Sequence, residues 1–417
     1  MYKGKDLLLS PDTFNDPIFS THLRCFRWYG YVSSRNQRNP WLHLLRCTIF
    51  TASIWLSCVL LLARVVRGYD NLNDGATTCA TAVQYFAVSI ATLNAYVQRE
   101  RVISLLRIAH DDLQRFLVEA DEQELTMLHS TQSYISTITL MLLVPSVAAG
   151  LLAWLDCIFR TIFYPESVFN VPAVVRGEAK PILLFQLYPF GEVIDNFLVG
   201  YLGPWGALFL GVSTIPLWHT FVTALMKYIT LRLEILNRRV QRMDISRISR
   251  SKSHTELTSD EVNRLRLQLC TSFIKEELKI LQFVRELEIL ICVPVMADFI
   301  IFSVLICFLF CALTLGSPSK IDCFFIFLYI FVMASILWVY HWHATLIVEW
   351  HSALGFGYYA SNWYDFSLSV QRMLLLIITH AQRPLQMRAL LVELNLRTFI
   401  DIVRGAYSYF NILRSSR

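Results

Sequence analysis

Six long apolar runs constrain this chain more than any other feature: residues 44–63, 75–97, 134–155, 197–223, 289–313 and 321–345. Each can carry an α-helix across a hydrocarbon layer about 30 Å thick. Lipid offers no partner to a backbone N–H or C=O, so helices, which pair these groups internally, are the form such runs take. The fold class that follows is an all-α membrane protein. Composition agrees, with 55% hydrophobic and 17% charged residues and a mean hydropathy of +0.46. The opening MYKGKDLLLSPDTF lacks the apolar core of a signal peptide, so the first run is expected to direct insertion.

A seventh crossing is inferred in residues 390–414, LLVELNLRTFIDIVRGAYSYFNILR, despite Arg397, Asp401 and Arg404. At 100° per residue this stretch divides into two faces. Phe399, Ile402, Val403, Ala406, Phe410 and Leu413 form an apolar side; Asp401, Arg404, Gly405, Ser408, Ile412 and Ser415 form the other. A membrane helix with such a stripe needs protein or water against it. It either lines a pore, with Ile412 as an apolar constriction that gates by dewetting, or lies buried in a bundle. In the second reading Asp401 pairs with Arg397 and Arg404 at i,i+4 and i,i+3. Periodicity alone leaves both open.

With seven crossings, 26 Lys and Arg residues lie on the side of the N-terminus and 8 on the other. The positive-inside bias then puts the N-terminus in the cytoplasm and the C-terminus outside, the reverse of a G-protein-coupled receptor. Three parts are expected. Residues 1–43 form a cytoplasmic segment whose Trp28, Tyr29, Tyr31 and Trp41 suit an interfacial anchor. Residues 44–345 hold transmembrane helices one to six with cytoplasmic helix extensions at 98–133 and 224–288. Residues 346–417 hold a cytoplasmic anchor segment and the seventh helix. Helical spacing in 99–130 reads as a continuation of helices two and three, and 271–290 as an amphipathic helix fit for helix or subunit contact. The polar stretch 246–260 reads as a loop. The outer segment 156–196, with four prolines between aromatics, reads as a lid over the bundle.

Chemistry in the enzymatic sense has no foothold. No P-loop, nucleophile elbow or HExxH occurs. His341 and His343 are two apart and point about 200° from each other on a helix, so they cannot chelate one ion together. No cofactor is expected, and the modest positive charge marks orientation rather than nucleic-acid binding. Asp298, inside the fifth run, is either a functional acid or one half of an inter-helix hydrogen bond. The glycines of the fourth run, among them Gly203, Gly206 and Gly211, signal close helix packing or a cavity wall. Cys79, Cys157, Cys311 and Cys323 fall near the outer side, where spacing alone establishes no bridge.

The ending TFIDIVRGAYSYFNILRSS, preceded by HAQRP, resembles the terminal signature of the insect odorant receptors through Tyr407, Ser408, Tyr409, Phe410, Leu413 and Arg414. SNWYDF at 361–366, LYPFG at 187–191 and ILQFVRELE at 280–288 are similar to further landmarks of that family. The resemblance covers most of the chain. It implies the family's seven-helix fold with inverted topology, and an odour-gated, non-selective cation channel assembled as a tetramer with the family's shared coreceptor. It also implies placement in the plasma membrane of olfactory neuron dendrites. Aligned on Tyr409-Phe410, Ile412 falls at the family's pore constriction, with Ser408 and Ser415 on the same lining; Arg404 departs from the small or uncharged residues common there. Segments 291–310, 340–349 and 388–402 look like the geosmin-receptor branch of the family in fruit flies. So narrowed, the resemblance implies a small volatile ligand, a compact bicyclic terpenoid alcohol such as geosmin.

The family's pocket lies in the outer half of the bundle, between helices two, three, four and six. Carried over, it implies ligand contacts at Tyr85 and Ser89, at Val147, Gly150 and Trp154, at Phe209, and at Phe325, Tyr329 and Met333. Each is equally an ordinary core position of a helix bundle. The gustatory branch ends in a Thr-Tyr signature that this chain lacks, and the coreceptor carries a longer insertion than 246–260 provides. The resemblance is therefore to a tuning subunit. A gustatory-type channel, a G-protein-coupled receptor and a transporter remain the alternatives; a transporter would show internal repeats, and none is visible.

Overall fold

The computed structural model describes residues 8–34, 40–68, 72–163, 197–243, 259–315, 320–382, 385–390 and 392–415. The lid expected at 156–196 and the loop at 246–260 fall largely outside these residues.

Helices carry almost everything. They are α1 (Ser20–Tyr29), α2 (Pro40–Arg67), α3 (Leu72–Val97), α4 (Arg99–Glu119), α5 (Glu122–Phe163) and α6 (Phe197–Arg242). After them come α7 (Ser259–Leu315), α8 (Lys320–Tyr359), α9 (Leu368–Ala381) and α10 (Leu396–Ser415). Stretches of α2, α5, α6, α7 and α8 are long and apolar enough to cross a membrane, counting described residues only. Helices α3 and α10 occupy the second and seventh expected crossings. Four prolines sit inside described helices: Pro145 in α5, Pro204 and Pro216 in α6, and Pro294 in α7. Membrane helices tolerate them because neighbours re-satisfy the freed carbonyls.

Several boundaries differ from the sequence expectation. The segment 99–130 is not a plain continuation of its neighbours: α4 is a helix of its own, ended at an extended Ala120. The amphipathic stretch 271–290 is the first half of one long helix, α7, that runs on into the fifth apolar run. The last helix starts at Leu396, later than expected, because a short antiparallel hairpin precedes it, β3 (Arg388–Ala389) with β4 (Val392–Glu393). There the Glu288 carboxylate accepts the Arg388 N–H at 3.0 Å, tying the hairpin to α7.

The N-terminal segment is core rather than anchor. Strand β1 (Leu8–Leu9) pairs in parallel with β2 (Ser33–Ser34), and α1 lays Leu23, Phe26 and Tyr29 inward. Phe26 meets Phe221 edge-on at 4.7 Å, and Tyr29 stacks on Phe50 at 4.3 Å. Of the four aromatics expected at the interface, only Trp28 and Trp41 are exposed. Helix α1 ends at Gly30, whose φ of +87° is open to glycine; a Cβ there would strike the His43 carbonyl at 2.7 Å. Asp16 docks the segment on α4, with Oδ1 2.7 Å from His110 Nδ1. Burial pushes the Asp16 carboxyl up, and His110 pulls it partly back.

Helix α6 is the axis of the bundle. Nearly every residue from Ile215 to Leu236 is buried, and α6 packs along both α5 and α8, while α3 packs along α7 and α2. Below it, at the end carrying α4, charged side chains join four helices. Arg232 lies 2.9 Å from Asp112 and 2.6 Å from Glu276, and Arg239 grips Glu124 through two hydrogen bonds of 2.9 Å. These pairs fix the splay of α4, α5, α6 and α7.

Candidate ligand site and pore helix

At the end of the bundle opposite α4, a small apolar cluster forms between α2, α3, α5 and α6. Its buried members are Cys58, Leu61, Ala82 and Tyr85, with Trp154 and Val212 packed on them. Tyr85 projects from α3 toward α6 and stops over Gly211, where a Cβ would lie 2.7 Å from its hydroxyl. Only a glycine leaves room for that ring. Gly150 on α5 packs in turn against Val212, at 3.6 Å from a would-be Cβ. One helical turn from Tyr85, Ser89 is fully buried and turns its hydroxyl toward the Cys58 thiol.

The expected residues are thus brought together only in part. Tyr85, Gly150 and Trp154 converge, and Val147 is half-buried one turn before Gly150. Tyr329 on α8 lies in the neighbourhood of Tyr85. Its hydroxyl is buried and has no hydrogen-bond partner among the described residues. Met333, one turn along, is buried in the main core. Phe209 is 38% exposed and joins neither cluster. The side chain of Phe325 lies outside the described residues. Sequence reasoning missed the contribution of α2 and the pivot at Gly211; the glycine was visible, but nothing in the sequence tied it to Tyr85.

A larger cavity, about 520 Å³, opens elsewhere, between α4, α6 and α7. It is lined by Asp111, Asp112, Arg115, Arg232, Lys275 and Glu276 among others. An apolar volatile gains nothing from a wall of balanced charges, because displacing their water exacts a desolvation cost. Size therefore does not choose the site; chemistry favours the Tyr85 region.

Among the described side chains, which exclude those of Phe410 and Leu413, helix α10 divides as its sequence suggests, with one exception. Ile402 and Ala406 are buried, and Phe399 is half-buried near His341 of α8. Gly405 faces Ser303 of α7, 4.0 Å from a would-be Cβ. Val403, expected on the apolar side, is 40% exposed. Arg404, Ser408 and Ile412, spaced four apart, are all exposed. Ser408 donates to the Arg404 carbonyl at 3.0 Å. Asp401 and Arg404 approach to 4.0 Å, but as an exposed pair, so the polar stripe is not buried in this chain's own bundle. The side chain of Ser415 lies outside the described residues.

The profile of the 7tm odorant receptor family matches residues 71–407. Odorant receptor 56a of Drosophila melanogaster is 66% identical over 416 residues, covering 100% of this chain and 99% of that protein. Odorant receptor 10 of Aedes albopictus is 22% identical, over 95% of this chain and 97% of its own. Among solved structures, the olfactory receptor OR5 of Machilis hrabei in complex with eugenol superposes with a TM-score of 0.72 at 14% identity. The match covers 96% of this chain and 100% of that one.

Proposed function

This chain belongs to the insect odorant receptor family, a multi-pass membrane receptor and not an enzyme, and from that premise we propose that it is a tuning subunit. Its partner is the family's shared coreceptor, with which it forms a tetrameric, odour-gated, non-selective cation channel in the plasma membrane of olfactory neuron dendrites. The observation that carries this reading is α10. A membrane helix that leaves Asp401, Arg404 and Ser408 outside its own bundle needs water or further subunits against that face. One such helix cannot enclose a pore, whereas several around an axis can, with Ile412 as the apolar constriction. The charge bias along the sequence supports a cytoplasmic N-terminus, which puts α1, α4, the near half of α7 and α9 inside the cell.

The odorant site in this reading is the outer region around Tyr85, Gly150, Trp154 and Tyr329. Its walls are largely apolar, and the buried Tyr329 hydroxyl has no hydrogen-bond partner among the described residues. That is the need of a compact terpenoid alcohol: a hydrocarbon cage and one hydrogen-bond partner. Geosmin is the ligand we propose, on the sequence resemblance in 291–310, 340–349 and 388–402.

Two measurements test this. Expressed alone, the chain is expected to give little geosmin-evoked current, and with coreceptor it conducts; equal currents without coreceptor would remove the tuning-subunit reading. Second, Tyr329→Phe deletes a hydroxyl without a hydrogen-bond partner among the described residues, so folding is preserved while a ligand hydrogen bond is lost. A neutral hydrogen bond contributes about 0.5–1.5 kcal/mol, so the half-maximal geosmin concentration is expected to rise up to about tenfold. An unchanged concentration–response curve would place the ligand hydroxyl elsewhere.

A further inference from the structure

Asp298, an acid inside a membrane crossing, has a partner. His219 of α6 lies with Nε2 3.0 Å from Asp298 Oδ2 of α7, and both side chains are buried. The other ring nitrogen, Nδ1, is 3.0 Å from the Ile215 carbonyl. A carbonyl only accepts, so Nδ1 carries a proton and donates it. The contact between Nε2 and Asp298 then holds one proton, on one side or the other, and the pair is neutral in sum. Together the two residues are tolerable in a membrane interior; either alone is an orphan.

The surroundings connect this pair to the pore helix. Tyr340 of α8 sets its ring edge against His219, with centroids 6.0 Å apart. The next residue, His341, donates to the Leu337 carbonyl at 2.9 Å and brings its ring to 6.4 Å from Phe399 of α10. One turn further along α8, the Thr345 hydroxyl accepts the Leu396 N–H at 3.2 Å, holding the first turn of α10. A cavity of about 10 Å³ adjoins the pair on the α3 side, at most one water in size, so this is no ligand site.

We propose that the His219–Asp298 pair is the positioning contact that carries movement of α6 and α8 at the odorant site to α7 and so to α10. The proposal rests on the receptor-channel reading above. Helix α6 supplies Gly211 and Val212 to the site and α8 supplies Tyr329, whereas α10 packs along α7, with Gly405 facing Ser303. Packed apolar helices can slide past one another by small shear motions. A charge-assisted hydrogen bond between buried groups is shorter and geometrically stricter, so the helices it joins shift together.

The test removes the contact without leaving an orphan: His219→Leu combined with Asp298→Leu, coexpressed with coreceptor and compared with the unsubstituted chain at matched surface labelling. The maximal geosmin-evoked current is expected to fall roughly tenfold, within the usual range of coupling between sites, with basal current unchanged. Should that pair not reach the surface, His219→Phe with Asp298→Leu keeps the ring volume and carries the same expectation. Asp298→Asn is the rescue: its amide donates to a neutral Nε2, so the evoked current stays within about twofold of the unsubstituted chain. Equal currents from the double variant and the unsubstituted chain overturn the proposal alone, as does a loss in Asp298→Asn equal to that of the double variant. Absence of evoked current in the unsubstituted chain overturns the receptor-channel reading and this proposal with it.

Discussion

Gly211→Ala is expected to abolish the odorant response while the receptor still reaches the cell surface. The added methyl would lie 2.7 Å from the Tyr85 hydroxyl and 2.8 Å from its ring, a distance that no packed side chain holds. Tyr85 has little room to retreat, being 3% exposed and enclosed by Cys58, Leu61, Ala82, Trp154 and Val212. Overpacking of this kind typically costs about 1–3 kcal/mol. Replacing a helical glycine by alanine returns roughly 0.8–1 kcal/mol through helix propensity, so folding survives. The phenol is displaced, and with it the wall of the proposed site. Gly150→Ala, whose methyl meets Val212 at an ordinary 3.6 Å, should disturb the packing far less and shift the response less than Gly211→Ala does. Concentration–response curves with surface labelling check both; a normal half-maximal concentration in Gly211→Ala would separate Tyr85 from the ligand.

That glycine also shows where the sequence stopped being legible. The six apolar runs and their helical form could be read directly, because lipid leaves the backbone a single solution. The two-sided character of α10 was equally plain in the order of Asp401, Arg404, Ser408 and Ile412, because period 3.6 turns order into faces. Which face would be covered was not, since that depends on α7 and α8 packing along α10, where Ile402 and Ala406 are buried. For the same reason Val403, apolar by type, turned out exposed. The ligand list rested on resemblance, and the structure joins Tyr85, Gly150 and Trp154 while leaving Phe209 apart. Contacts between helices distant in sequence, such as Tyr85 with Gly211 or His219 with Asp298, have no periodic signature. Tyr29 and Tyr31 looked like interface aromatics for a related reason: only the packing of α1 on α6 reveals them as core.

Arg232→Met is expected to be the most damaging single change outside the ligand site, costing roughly 3–5 kcal/mol of stability. The Arg232 side chain is 7% exposed and lies between two carboxylates, Asp112 at 2.9 Å and Glu276 at 2.6 Å. Tyr228 also donates to Asp112 at 2.6 Å, and the guanidinium lies 5.6 Å from the Phe116 ring centre. Methionine fills the stem's volume but leaves two largely buried carboxylates, Asp112 without its ion-pair partner and Glu276 with only the more distant Arg239 guanidinium at 3.8 Å. Lysine does not repair this, because a single ammonium lacks the planar fork that reaches both acids. Set against a total folding stability of about 5–15 kcal/mol, the loss is enough to strand much of the protein before the surface. Asp112→Asn with Glu276→Gln in the Arg232→Met background removes both charges and should recover part of it. Arg404→Ala supplies the contrast: that side chain is 78% exposed and 4.0 Å from Asp401, so stability should hardly change. Thermal unfolding of the detergent-purified receptor distinguishes them, and an Arg232→Met midpoint equal to that of Arg404→Ala would show that the α4–α6–α7 junction is held by its apolar contacts instead.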